Sequence, residues 1–355
     1  MGSNSDKILS KTLLEIKPVS KEIKALARKR LDSLTKPPGS LGRLEDCAAQ
    51  YAAARGSVDA KVVKPCILTF AGDHGVADEG VSAFPKEVTP QMVANFSRGG
   101  AAINVLAKHG GITLKVIDMG VAAECDFPGV ISRKIARGTA NFANGPAMSI
   151  EECTKALAAG IEEAEKSIAD GCTLLGTGDM GIANTTPSTA LYAQFLSLDP
   201  EEIAGRGTGI DDARLRHKVK VIRDALCVNK HLLKSPLETL AALGGFEIAG
   251  ICGTILAGAA NRVPVVVDGF ISGAAALSAI RIKPEVADYC FFSHLSAEAG
   301  HAKAMKTIGV KPLLDLDLRL GEGTGAAIAM HLIQASMKIM HEMATFGEAG
   351  VSGKN

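Results

Sequence analysis

Tryptophan is absent from this 355-residue chain, tyrosine occurs three times, and all aromatic residues together make up 4%. Charge of one sign is missing too: 39 basic side chains face 38 acidic ones, for a formal net charge of +1. A chain so balanced has no broad field with which to hold a phosphate backbone or an anionic bilayer, so neither nucleic acid nor a membrane is expected as a partner. The eight cysteines include no CxxC pair and offer no zinc-ligand spacing, which points to reduced core thiols rather than a disulfide frame. Long apolar runs are also lacking. The nearest, Ile248–Asn261 followed by Val263–Ile280, is bounded or broken by Glu247, Arg262 and Asp268 and is filled with small residues. The opening MGSNSDKILSK has no apolar core of a signal peptide, so a cytoplasmic location is expected.

Glycine is what the chain has in excess, 38 residues against an average of roughly 7%. Backbone must therefore come close to something in many places. Residues 8–60 carry helical periodicity broken by the turn cluster Thr35-Lys36-Pro37-Pro38-Gly39-Ser40, with a helix resuming at Leu41. Short β-like runs follow at Lys64–Phe70, Leu114–Met119, Thr173–Gly176, Pro264–Asp268, Tyr289–Ser293 and Pro312–Leu318, mostly separated by amphipathic or Ala-rich helical segments. That alternation predicts an α/β fold, a mostly parallel Rossmann-like sheet with helices on both faces. Ala326–Ala344 reads as a last long helix, before a loose tail from Gly347.

Glycine-bearing polar loops follow the strands at Gly72-Asp73-His74-Gly75, Thr177-Gly178-Asp179-Met180-Gly181, Asp268-Gly269-Phe270 and Gly321-Glu322-Gly323-Thr324-Gly325. In parallel sheets the ligand crevice lies at the carboxyl ends of the strands, so the four should converge. Gly176–Gly181 matches GxGxxG, yet a Thr N-cap followed by Pro187 places the helix start after the motif, which suits a single phosphate better than a dinucleotide. The Pro264–Gly273 stretch loosely resembles a phosphoribosyl-pyrophosphate loop but has one acid, Asp268, where metal neutralisation of pyrophosphate uses a pair. Glu322, flanked by glycines, is either a solvated turn residue or a base with open access, and Asp179 sits alike on its own loop. His74 lacks a second histidine spaced to share a metal and reads as half of a structural Asp/His pair. Lys218, in Arg214-Leu215-Arg216-His217-Lys218, reads locally as part of a solvated helix face.

Ordered blocks along nearly the whole chain resemble the nicotinate-nucleotide:dimethylbenzimidazole phosphoribosyltransferases of cobalamin biosynthesis. They include Lys36-Pro37-Pro38-Gly39-Ser40-Leu41-Gly42-Arg43-Leu44-Glu45, Asp73-His74-Gly75-Val76, Met180-Gly181-Ile182-Ala183-Asn184-Thr185-Thr186-Pro187, Ser293-His294-Leu295-Ser296-Ala297-Glu298 and Arg319-Leu320-Gly321-Glu322-Gly323-Thr324-Gly325. The resemblance implies a large α/β domain (61–325) and a small helical domain built from both chain ends (1–60 and 326–355), in a homodimer or in a heterodimer with a paralogue. It implies transfer of phosphoribosyl from nicotinate mononucleotide to a lower-ligand base, with no cofactor and no metal. The family's catalytic base falls on Glu322 and its second acid on Asp179. Its nucleotide and phosphate contacts fall on Gly181, Asn184, Gly207, Lys218, Asp268, Gly269, Ser296, Arg319 and Gly321, and its base pocket on Ser82, Phe84, Met92 and Leu320. The glycines after the strands then read as places where backbone approaches a phosphoribosyl group.

Two departures stand out: Asp179 replaces a frequent Glu, and Phe84 and Met92 replace polar residues that hold the benzimidazole. A more apolar and adaptable pocket leaves the choice of base open, with phenols included. A non-catalytic paralogue subunit and a nicotinamide-dependent oxidoreductase are the rival expectations.

Overall fold

Cys66–Gly72, buried at every residue, forms the central strand β1 of a computed structural model that describes residues 3–207 and 209–352. A strand buried on both faces belongs in the middle of a parallel sheet, where it reads as a continuous apolar run. The others are β2 (Thr113–Gly120), β3 (Val130–Ser132), β4 (Leu175–Met180), β5 (Val265–Val267) and β6 (Cys290–Phe292), all parallel, in the order β3-β2-β1-β4-β5-β6. The order reverses between β1 and β4, which puts a crevice beyond the carboxyl ends of those two strands.

Three sequence expectations need correction. Pro312–Leu318 does not join this sheet; the chain there is extended only at Leu314–Asp315, which pairs with His294–Leu295 in a two-stranded piece of its own. The edge strand β3 was not anticipated, being three residues long and incompletely buried. Thr177–Met180 is not a loop, because β4 runs through it to Met180.

Alternate residues of the strands feed two cores. Leu68, Phe70, Val265 and Val267 face helices Ile150–Ala169, Phe246–Ala260 and Phe270–Ile282, whereas Ile67, Ala71 and Val266 face Arg43–Arg55, Ala102–Gly110 and Thr324–Glu342. Helices Ile150–Ala169 and Phe246–Ala260 approach so closely that a Cβ on Gly160 would lie 2.0 Å from the Gly250 carbonyl oxygen. That is where small residues in the longest apolar stretch are used. Among the described residues no helix is long and apolar enough to cross a membrane. All eight cysteines are free, and seven are buried.

The chain ends meet. Leu34 and Thr345 form an isolated antiparallel bridge, Thr35 N donates to Ala344 O at 3.0 Å, and Phe346 N donates to Ser33 O at 3.2 Å. The first helix, Asn4–Glu15, instead packs on Ile150–Ala169 and Phe246–Ala260, across the sheet from the terminal helix.

Candidate active site

The carboxyl ends of β4 and β5 and the turn before helix Thr324–Glu342 enclose a cavity of about 520 Å³. Its floor carries Asp179, the fifth residue of β4. Burial pushes the Asp179 carboxyl well above the usual range, and the charges of Asp268, Glu247 and Glu322 push it the same way against one hydrogen bond from Asn184 Nδ2 at 2.9 Å. Both influences favour the protonated form of the carboxyl over the charged one.

Glu322 hangs over Asp179. Its backbone adopts φ +64 between Gly321 at +83 and Gly323 at +98, three successive left-handed residues of which only the middle one carries a side chain. Such a conformation costs on the order of 1 kcal/mol or more and persists only where its surroundings fix it. Here Glu322 N donates to Asp179 O at 3.2 Å, and Thr69 Oγ1 donates to Glu322 O at 2.8 Å. Asp268 completes the hold: its two oxygens accept from Gly323 N at 3.1 Å and Ala326 N at 2.9 Å, capping the start of helix Thr324–Glu342. The Glu322 carboxylate, 4% exposed, accepts from Ile103 N at 3.4 Å in the first turn of helix Ala102–Gly110. Burial raises its pKa and that amide lowers it, leaving it raised on balance.

Two helices aim uncapped N-termini at the cavity. Asn184 stands at the N-cap of helix Thr185–Leu196 but spends its side chain on Asp179, and Gly269 at the N-cap of Phe270–Ile282 has none to give. Both helix ends line the cavity, so partial positive charge gathers there without a basic surface. The expected late start of the first helix holds, though its cap is Asn184 rather than a Thr, and Pro187 is the third helical residue.

Thirteen of the fifteen residues singled out in the sequence line this one cavity: Ser82, Phe84, Met92, Asp179, Gly181, Asn184, Gly207, Gly269, Ser296, Arg319, Leu320, Gly321 and Glu322. Phe84 and Leu320 are more than half exposed on its rim, and Met92 lies one helical turn from Val88 on the same wall. The remaining two stand behind it. Asp268 is the cap just described, and burial lifts its carboxyl to about 7. Lys218 is no solvated helix residue: it is fully buried, with Nζ 2.7 Å from Thr185 Oγ1 and 3.2 Å from Gly205 O, and burial lowers it to about 8.

Sequence reasoning assigned no role to Thr185, His294 or Glu298, which also line the cavity. They lie in quoted blocks beside residues that were chosen, and only folding shows which neighbours turn inward. His294 is brought down to about 4 and His301 behind it to about 3, both chiefly by burial, so neither supplies a cation at neutral pH. His74 pairs not with Asp73 but with Glu247, at 2.6 Å in a fully buried contact beneath Gly181. Among the described residues no group of three or more His, Cys, Asp or Glu could hold a metal ion.

The glycines also need a corrected reading. Of the eight glycines in the four post-strand segments, only Gly181, Gly269 and Gly321 line the cavity. The others make room for protein: a Cβ on Gly178 would lie 2.2 Å from the Glu322 carbonyl oxygen, and one on Gly325 2.0 Å from His294 Nδ1.

A family model described as phosphoribosyltransferase matches residues 16–351. The chain belongs to that phosphoribosyltransferase family. Relatives named nicotinate-nucleotide–dimethylbenzimidazole phosphoribosyltransferase include one from Chlorobaculum tepidum, 59% identical over 97% of this chain and 98% of its own, and one from Geobacter sulfurreducens, 56% identical over 97% and 98%. The crystal structure of CobT from Thermus thermophilus superposes with a TM-score of 0.90 at 49% identity, covering 94% of this chain and all of that one. The α/β fold and the enzyme class of this phosphoribosyltransferase are thereby established.

Proposed function

We propose that this phosphoribosyltransferase moves the phosphoribosyl group of nicotinate mononucleotide to 5,6-dimethylbenzimidazole or an analogue, releasing nicotinate and an α-riboside phosphate. The names of its relatives support the donor and acceptor. The observation that carries the chemistry is Glu322: a buried carboxylate on the cavity wall, raised in pKa yet held by the Ile103 amide, in a backbone conformation enforced from three sides.

When the imine nitrogen of benzimidazole attacks C1′, the bond from C1′ to the nicotinate ring breaks and its electron pair returns to the pyridine nitrogen. The leaving ring loses its positive charge by departing, so no metal is needed to accept those electrons. The proton on the second benzimidazole nitrogen must leave, and Glu322 is the base that takes it. Attack from the face opposite the leaving ring inverts C1′ to α and requires both partners fixed at once. The uncapped N-termini of helices Thr185–Leu196 and Phe270–Ile282, with Lys218 behind Thr185, suit the monoester phosphate. Asp179, whose burial favours its protonated form, suits hydrogen bonding to the ribose.

Phe84, Met92 and Leu320 give the acceptor end an apolar rim that offers a benzimidazole or a phenol little hydrogen bonding, and Glu322 would also be the group to take a phenolic proton as oxygen attacks. The test is direct: incubate the protein with nicotinate mononucleotide and a panel of benzimidazoles, purines and phenols, with and without EDTA, and identify products by mass spectrometry. An α-riboside phosphate formed by the unaltered chain and lost in Glu322→Gln, with nucleotide binding kept, is expected. Full activity in that variant would overturn the assignment.

A further inference from the structure

The end of the cavity assigned to the phosphate already holds an anion. Glu298, 7% exposed, turns its carboxylate inward, and Oε2 accepts from Gly207 N at 3.3 Å. It lies against Gly205, where any side chain would collide with it: a Cβ there would come 1.8 Å from Oε2. Its own amide donates to Ser296 Oγ at 3.3 Å, and its carbonyl accepts from His301 N at 2.9 Å, so the backbone of Glu298 is fixed while the side chain alone reaches across. The Glu298 charge also favours the ammonium of Lys218 against the burial that lowers it. Gly207, Ser296 and Lys218, three groups expected to meet the phosphate, thus surround or feel one carboxylate. The two nearby imidazoles, His294 and His301, are neutral and offset nothing.

A carboxylate and a phosphate dianion cannot share one amide donor at low cost. We propose that Glu298 is the resident anion of the phosphate seat, occupying the Gly207 amide in the free protein and displaced from it by a phosphate monoester. The exchange leaves the half-buried Gly207 N–H satisfied in both states, so the donor is never orphaned. It also makes Glu298 a specificity residue: a weak or singly charged anion gains too little from Lys218 and the helix ends to expel it, whereas a dianion gains enough. This rests on the reading above that a monoester-bearing donor occupies this end of the cavity.

The experiment titrates inorganic phosphate calorimetrically into the unaltered protein, Glu298→Gln and Glu298→Ala at pH 7, with melting curves as a fold control and the KM for nicotinate mononucleotide measured alongside. Removing the resident charge should tighten phosphate binding about tenfold in both variants and lower KM in parallel. Unchanged or weaker phosphate binding in Glu298→Gln, which keeps the shape of the side chain, would overturn the proposal even if Glu298→Ala fails to fold. If the unaltered chain fails to turn over nicotinate mononucleotide while both variants still bind phosphate more tightly, the assigned donor is wrong and the resident anion stands.

Discussion

The backbone amide of Glu322 donates to the carbonyl oxygen of Asp179 at 3.2 Å, so the two candidate acids hang from segments that are tied to each other. One carboxyl is sunk among Asp268, Glu247 and Glu322, which with burial raise it well above the usual range, while the other meets a helix N-terminus through Ile103 N. Burial raises both carboxyls, Asp179 well above its usual range and Glu322 against an opposing amide, and such unequal surroundings suit two acids to different tasks.

Their substitutions should differ accordingly. Asp179→Asn imitates a neutral acid and is expected to keep kcat within about tenfold, whereas Glu322→Gln removes a base and should lose about a hundredfold or more. Steady-state kcat for both variants at neutral pH checks this, and an equal loss in the two would count against the neutral form of Asp179.

Gly178→Ala places a Cβ 2.2 Å from the Glu322 carbonyl oxygen and 2.5 Å from its carbonyl carbon. Backbone must shift to admit it, at about 1–3 kcal/mol of stability. The expected signature is a lowered Tm together with a fall in kcat larger than any change in nucleotide Kd, because the displaced group is Glu322.

Burial lifts the Asp268 carboxyl from 3.8 to about 7 in the folded chain. The native state then binds the proton more tightly than the unfolded one, so the contribution of this group to stability is greatest below about 4 and falls as pH rises toward 7. Asp268→Asn should flatten this slope in urea melts at several pH values, with a remainder from Asp179, which is raised in the same direction. The substitution also turns one amide-accepting oxygen into a donor facing Gly323 N or Ala326 N, and should cost about 1–3 kcal/mol.

Lys218, lowered to about 8 by burial, is a cavity-side cation that changes charge just above neutrality. Affinity for nicotinate mononucleotide is expected to fall as pH rises through 8 and beyond, and Lys218→Met should both weaken binding about tenfold and abolish that pH dependence. Calorimetry between pH 6.5 and 9.5 decides it; a Met variant with the unaltered profile would remove Lys218 from the phosphate end.

The alternation of apolar runs and helical segments was legible because a buried parallel strand must be apolar along its whole length, as Cys66–Gly72 is. Val130–Ser132 carried no such mark, since an edge strand of three incompletely buried residues obeys no period long enough to read. Leu314 looked like a sheet residue but pairs only with His294, a partner that exists because β6 ends at Phe292 and the chain turns out of the sheet. Glycine misled most: Gly178 looks like a loop former yet lies inside β4, stripped of a side chain because the Glu322 backbone presses on it.

By itself the sequence determined the fold class and the family resemblance, because strand burial and contiguous motifs are local properties of the chain. Only the tertiary structure decided what each polar residue does. It drew Lys218 inward behind Thr185, turned Asp268 into the cap that fixes Glu322, gave His74 a partner in Glu247, and set Glu298 on the Gly207 amide. Those roles depend on distances between residues far apart in the chain, and on the loss of water that makes each buried charge answer to its neighbours.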